Sequence, residues 1–171
     1  MLTFQPGLDP QHTVFRTLRL LDGVAGCLPA ETDKLRVLDF YVAFPFRAAA
    51  FEFRRGQAGL RKIAEAYDTR RPYGGLPEDR DLFARMRPLQ TLAYETLAAK
   101  GIIDPDALQQ RMVMRGAVEP PEELRARVAE IKAEEKSLIL MLDVICKSNA
   151  LLGPDGIKKR SGLLEYRYDL V

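Results

Sequence analysis

The segment from Thr32 to Pro45 constrains the fold most, because its pattern predicts one helix that is apolar on nearly every side. Leu35, Leu38 and Val42 recur at helical spacing on one side, and aromatic and aliphatic residues cover most of the remainder. Such a helix cannot lie on a surface and must be packed by other elements on two or more sides. The segment therefore predicts a central helix that ends at Pro45 and organises a compact helical domain.

Two Asp-Pro pairs, Asp9-Pro10 and Asp104-Pro105, predict the beginnings of a long first helix and of a short later one. In each pair the aspartate side chain can accept a hydrogen bond from a free backbone N–H group, and proline suits the first helical position. Pro88 lacks a backbone donor, so the helical pattern between residues 78 and 100 predicts two linked helices that meet at this proline.

Near the C-terminus the sequence predicts the longest element, a helix from Glu122 to about Leu151 that would be roughly 45 Å long. Six apolar residues recur there at alternating steps of four and three, as in a heptad seam interrupted by Glu135 and Asn149. The seam either packs on the domain's own core or forms a docking surface for a helical partner. A helix this long overhangs a core of about 100 residues, so we expect part of the seam to bind a partner. The seam residues are Leu124, Val128, Ile131, Leu138, Leu142 and Ile145.

The order of these elements predicts a mainly α (α+β) protein in two regions. Residues 1–117 would form a winged-helix-like core domain. Its two short helices would be followed by a wing built from 101–103 and 112–114. Residues 118–171 would add the long amphipathic helix and a short terminal strand, Leu163–Val171, packed on the core, on a partner or on both.

Few residues suggest catalysis. His12 is the only histidine; it could pair with Asp9 as an acid/base dyad, but we expect a residue that bonds the beginning of its helix. Asp33 and Asp39 could be acids with raised pKa values, but we expect both to be ion-pair partners of Arg36. No nucleophile motif, phosphate-binding loop or metal-ligand spacing is present. The sequence therefore predicts no catalytic residue, cofactor or metal.

Basic residues are the best candidates for contact with nucleic acid, although the net charge of +2 is too small to support such binding by itself. Guanidinium groups bind phosphates in bidentate fashion, and Tyr73 in the loop at 70–77 could stack on a base. The alternatives are a solvated basic surface and a socket for an acidic partner. The candidates are Arg54, Arg55, Arg70, Arg71, Tyr73, Lys158, Lys159 and Arg160.

The cysteine content and hydropathy predict a cytoplasmic protein without a membrane partner. Cys27 and Cys146 lie far apart, fit no metal-ligand spacing and have apolar neighbours, which predicts two buried thiols in a reducing compartment. The longest apolar run, 138–145, is far too short to span a bilayer.

Four blocks within about the first 115 residues occur in a distinctive order: Asp9–Leu21, Glu31–Pro45, Leu82–Gln90 and Leu97–Asp104. In this order they resemble the small middle-component proteins of bacterial ABC-three-component systems. These systems, which include the Lamassu-type anti-phage systems, combine an SMC/Rad50-like ABC ATPase with a middle component and an effector, often a nuclease.

The resemblance implies a non-catalytic accessory subunit with a winged-helix-like fold. Such a subunit would be seated on the SMC-like ATPase and would link it to the effector in an anti-phage or anti-plasmid defence complex. ATP hydrolysis and DNA cleavage would belong to the partners, and contact with DNA would be indirect or through the basic loop. The alternative is a winged-helix DNA-binding transcriptional regulator.

Overall fold

The computed structural model describes residues 6–164, which are mainly helical. The helices are α1 (Pro10–Gly23), α2 (Thr32–Ala43), α3 (Ala58–Ala66), α4 (Asp79–Ala99), α5 (Pro105–Gln109), α6 (Glu122–Glu134), α7 (Lys136–Ser148) and α8 (Ile157–Ser161). Short 3-10 helices lie at Pro6–Leu8, Ala25–Cys27, Pro45–Ala50 and Tyr67–Arg70. Two short strands, β1 (Ala30–Glu31) and β2 (Met112–Val113), pair antiparallel.

The central position predicted for α2 is confirmed. The helix begins at Thr32, and it contributes to both apolar clusters of the core: Leu35 to one, and most of its other buried residues to the second. Phe40 packs edge-on against Phe83 of α4, with 5.9 Å between ring centroids. Burial on all sides explains why this segment carries apolar residues all round.

Both predicted Asp-Pro helix beginnings are confirmed. The Asp9 side chain accepts a hydrogen bond of 2.8 Å from the backbone N–H of His12, and Asp104 accepts one of 2.8 Å from Ala107. Each cap satisfies a backbone donor that the first helical turn leaves free.

The prediction of two helices meeting at Pro88 is wrong, because α4 runs without interruption through this residue. Proline removes the hydrogen bond that its N–H group would donate to Ala84, four residues earlier. Ala84 and Pro88 both lie on the exposed side of α4, so water can solvate the carbonyl group that is left free.

The prediction of one helix from Glu122 to about Leu151 is also wrong. The chain forms α6 and α7 instead, and Glu135 between them has φ −110° and ψ 37°, outside the helical range. The Glu135 carboxylate accepts hydrogen bonds from Arg19 of α1 and, at 2.6 Å, from Arg70. These two arginines hold the joint against the rest of the molecule.

The extended pieces predicted on either side of α5 are only partly strands. β2 pairs with β1, which precedes α2, and Ile103 forms an isolated bridge with Arg115. This small sheet ties the middle of the chain to its beginning. The winged-helix comparison remains a prediction, as does the boundary at residues 117 and 118. Of the predicted terminal strand, residues 165–171 lie outside the described part of the chain, and 163–164 are not in a strand.

A buried ion pair joins three helices in the core. Arg16 of α1 binds Asp39 of α2 in bidentate fashion, at 2.7 and 3.2 Å, and Gln90 of α4 donates to the same carboxylate at 2.9 Å. The predicted pairing of Asp39 with Arg36 is therefore wrong, whereas Arg36 does bind Asp33, at 2.7 Å. Asp39 faces the interior, where only a residue from another helix could reach it.

The prediction of two free thiols is wrong. Cys27 and Cys146 form a disulfide that ties the 3-10 helix after α1 to α7, with 6.2 Å between the two Cα atoms. Sequence spacing could not indicate this pair, because 119 positions separate its members. Among residues 6–164, no helix is both long and apolar enough to cross a bilayer.

Candidate docking groove

The six seam residues fall into two groups. Leu138, Leu142 and Ile145 of α7 are fully buried in the chain's own core, so in this conformation they have no surface to offer a partner. On α6, Val128 is buried and Ile131 is half-buried, whereas 40% of Leu124 is exposed. Contact with a partner through the seam therefore remains a prediction for the α6 end.

Leu124 lies on a groove of about 460 Å³ between α1, α6 and the segment that joins β2 to α6. Its floor is apolar and formed by buried side chains: Leu18, Leu21, Ile102 and Val128. Val118 stands at the edge with 51% of its surface exposed. Two large exposed apolar residues thus share one concave surface, which is the geometry that an apolar side chain of another protein requires.

Glycine at position 116 lets the wall of this groove form. A Cβ atom on Gly116 would lie 2.0 Å from the carbonyl oxygen of Gly101, so no other residue fits there without moving the backbone. This close approach allows the Gly116 N–H to donate to Ile102 at 2.7 Å and that of Val118 to donate to Gly101 at 3.0 Å. The two hydrogen bonds fix the position of Val118.

Exposed ion pairs border the groove. Arg115 and Glu119 lie 3.7 Å apart on the joining segment, and Lys132 of α6 binds Asp22 of α1 at 2.9 Å. Such pairs contribute little to stability because water screens them. A polar rim around an apolar centre is typical of a surface that binds another protein.

Several of the eight basic-site candidates are held by contacts within the chain, three of them by short hydrogen bonds. Arg70 binds Glu135, and Arg71 binds Asp68 at 2.7 Å. Arg160 donates to the Asp155 side chain at 2.7 Å and to the backbone carbonyl of Glu52 at 2.5 Å. These guanidinium groups have structural partners that a phosphate would have to displace.

The other candidates are placed as follows. Arg54 donates a hydrogen bond of 3.3 Å to the side-chain oxygen of Asn149, longer than those of the three arginines above. Arg55 is exposed. Lys158 and Lys159 lie on α8, half-buried and exposed respectively, and Tyr73 is fully exposed in its loop. The exposed ring of Tyr73 is free to stack on a base, but its contacts within residues 6–164 do not indicate which ligand it would bind.

The acid/base candidates Asp9 and His12 lie at the beginning of α1. The backbone N–H of His12 donates to the Asp9 cap, as expected for the beginning of a helix, and His12 itself is exposed. Within residues 6–164, no cluster of three or more histidine, cysteine or acidic side chains could hold a metal ion.

Reasoning from sequence missed Val118 and Ile102 as members of the groove. No periodic pattern links them to Leu124, because each lies in a connecting stretch outside the helices and strands. The Gly116-Ala117-Val118 stretch carried one usable signal, a glycine beside an apolar residue outside any helix.

Comparison with family models matched residues 2–169 to ABC-three component (ABC-3C) system Middle Component 5. Neither curated proteins nor solved structures gave a match. The match spans nearly the whole chain, including the groove on α1, α6 and the segment before α6. The chain therefore belongs to the Middle Component 5 family of ABC-three component systems.

Proposed function

We propose that this protein is a non-catalytic accessory subunit that links the ABC ATPase of its system to an effector. The observation that carries the proposal is the apolar groove under Leu124 and Val118, in a chain whose family is defined as one component of a three-component system. A middle component needs a surface for each neighbour. The groove has the apolar centre and polar rim expected of one such surface.

The finer identity of the partners follows from the resemblance of the sequence blocks. We propose that the ATPase is SMC/Rad50-like, that the effector is a nuclease, and that the complex acts against phages or plasmids as the Lamassu-type systems do. ATP hydrolysis and DNA cleavage then take place on the partners. This chain positions the two relative to each other.

The experiment is co-expression of the chain with the ATPase and effector encoded beside it, followed by affinity purification. We expect a stable complex with the native chain and at least tenfold weaker binding to one partner with Leu124→Asp, because a carboxylate would have to be desolvated in the groove. Leu92→Asp is the matched control: Leu92 is also an exposed leucine on a helix, but it lies on α4, outside the groove.

Two results would count against the proposal. If the native chain binds neither component, the accessory role is wrong. If the complex forms but Leu124→Asp and Leu92→Asp bind equally well, the groove is not the docking surface. Circular dichroism of both variants establishes that each remains folded.

A DNA-binding regulator is the less supported function. The intramolecular partners of Arg70, Arg71 and Arg160 favour structural roles for these residues. A regulator would bind duplex DNA as an isolated chain in a salt-dependent way, and Arg70→Ala and Arg71→Ala would weaken that binding. Absence of binding at low ionic strength would remove this function.

We place the complex in the cytoplasm, because its ABC ATPase requires ATP. The Cys27–Cys146 disulfide is the observation that opposes this location, since glutathione and thioredoxin keep most cytosolic thiols reduced. Thiol labelling in cells before lysis measures the fraction that is oxidised. A fully oxidised pair in cells would argue for an oxidising compartment.

A further inference from the structure

A second cavity, about 570 Å³ in volume, lies on another side of the molecule and plays no part in the groove. It is enclosed by the first turn of α2, one face of α4, and α5 with the residue that precedes β2. Its apolar wall consists of Tyr94, Ala98, Pro105 and Leu108. We refer to it as the α4–α5 cavity.

Arg36 forms a fixed part of the polar wall. Its guanidinium group donates to Asp33 at 2.7 Å and to the hydroxyl of Thr91 at 2.9 Å, and it lies 6.0 Å from the centre of the Tyr94 ring. Asp33 neutralises the charge of Arg36. The pair therefore contributes no net charge to the cavity.

Three other charged side chains line the cavity: Arg87 and Glu95 on α4, and Arg111 before β2. All three are exposed, and none has a side-chain hydrogen bond or ion pair with another residue of the described range 6–164. Two guanidinium groups and one carboxylate leave the cavity with one net positive charge.

The backbone at Arg111 gives an independent indication. Arg111 has φ 59°, and it is the one residue other than glycine with positive φ within residues 6–164. This conformation is unfavourable for an arginine relative to the right-handed region, because its Cβ atom crowds the backbone, and glycine avoids that cost. Its carbonyl accepts from Thr32 and its N–H donates to Leu108, both at 2.9 Å, which holds the conformation. Strain of this kind concentrates at functional sites.

We propose that the α4–α5 cavity binds the carboxylate of an acidic side chain of a partner subunit, together with an adjacent apolar residue. Arg87 and Arg111 bind the carboxylate, and the apolar residue packs on Ala98 and Leu108. One net positive charge matches a single carboxylate, whereas Glu95 repels a phosphate group that carries two negative charges. The inference rests on the proposed function, because it requires a protein partner.

The test measures the dissociation constants of complexes between the full-length chain and the separately purified ATPase and effector. We expect Arg87→Ala and Arg111→Gly each to weaken binding to one of them by about tenfold, as for the loss of a charge-assisted hydrogen bond. Arg85→Ala is the matched control, an exposed arginine on α4 outside the cavity. Arg111→Gly also relieves the backbone strain, so its melting temperature should equal or exceed that of the native chain.

A competition series identifies the anion. At equal ionic strength, sodium acetate should weaken the native complex at least as much as sodium phosphate does. A complex that forms normally with Arg87→Ala and Arg111→Gly overturns this inference and leaves the accessory role intact. Stronger competition by phosphate overturns the assignment of a carboxylate. If the native chain binds neither component, the proposed function itself fails.

Discussion

Helices α6 and α7 follow each other with only Glu135 between them and continue one apolar pattern, yet the molecule uses them in opposite ways. α7 buries six of its residues in the core and carries Cys146, which is covalently joined to Cys27. α6 buries only Val128 and leaves Leu124 at the edge of the candidate docking groove. The same spacing of apolar residues thus supports a core element in one helix and an accessible surface in the next.

Periodicity therefore identifies the apolar face of a helix but not what covers it. The core contains buried residues of α2 and α3 that pack against α7, whereas α6 packs chiefly against α1. Stability is therefore expected to depend strongly on α7 and weakly on α6, and binding to depend on α6.

The largest effect is expected from Leu142→Ala in α7. Leu142 is fully buried, so its truncation should leave a cavity and lower the free energy of unfolding by about 2–5 kcal/mol. Leu140→Ala, on the same helix but with 56% of the leucine exposed, should change it by less than about 0.5 kcal/mol. Urea titration followed by circular dichroism measures both. Equal effects would contradict the burial of this face of α7.

An intermediate effect is expected at the joint. Glu135→Ala leaves Arg19 without its carboxylate partner in a largely buried position, which should cost about 1–3 kcal/mol. The Arg70 contact adds little, because Arg70 is more than half exposed and water screens the pair. Glu134→Ala, at the adjacent exposed position, is the control and should be close to neutral. If both variants have the same melting temperature, the joint does not hold the two helices in place.

The smallest effect on stability is expected from Leu124→Ala on α6. Because Leu124 is already partly exposed, the free energy of unfolding should change by less than about 0.5 kcal/mol. Val128→Ala, one turn further along the same helix and buried, should cost about 1–2 kcal/mol by loss of buried apolar area. Thermal unfolding of the two variants compares them directly. A larger loss for Leu124→Ala would indicate that α6 is anchored through Leu124, and the groove would then be part of the core.

Local signals predicted much of the fold. The all-round apolar pattern of α2 and the Asp-Pro caps of α1 and α5 depend on residues close together in sequence, so they could be interpreted without a structure. The errors at Pro88 and Glu135 have a common cause. Both predictions rest on local properties, the missing N–H group of Pro88 and the spacing of apolar residues on either side of Glu135. Solvent exposure in one case and two distant arginines in the other decide the outcome.

A mainly helical protein organised around one buried helix could be predicted without a structure, because the spacing of apolar residues and the capping of helices are local properties. The sequence also carried the blocks that indicated the middle-component family. The tertiary structure alone decided which end of the C-terminal seam is covered, that Asp39 pairs with Arg16, and that Cys27 meets Cys146. Only the tertiary structure joins Val118 and Leu124 in one groove, and Arg87 and Arg111 in one cavity. The physical reason is that these contacts join residues far apart in the chain, and their partners are set by the packing of helices.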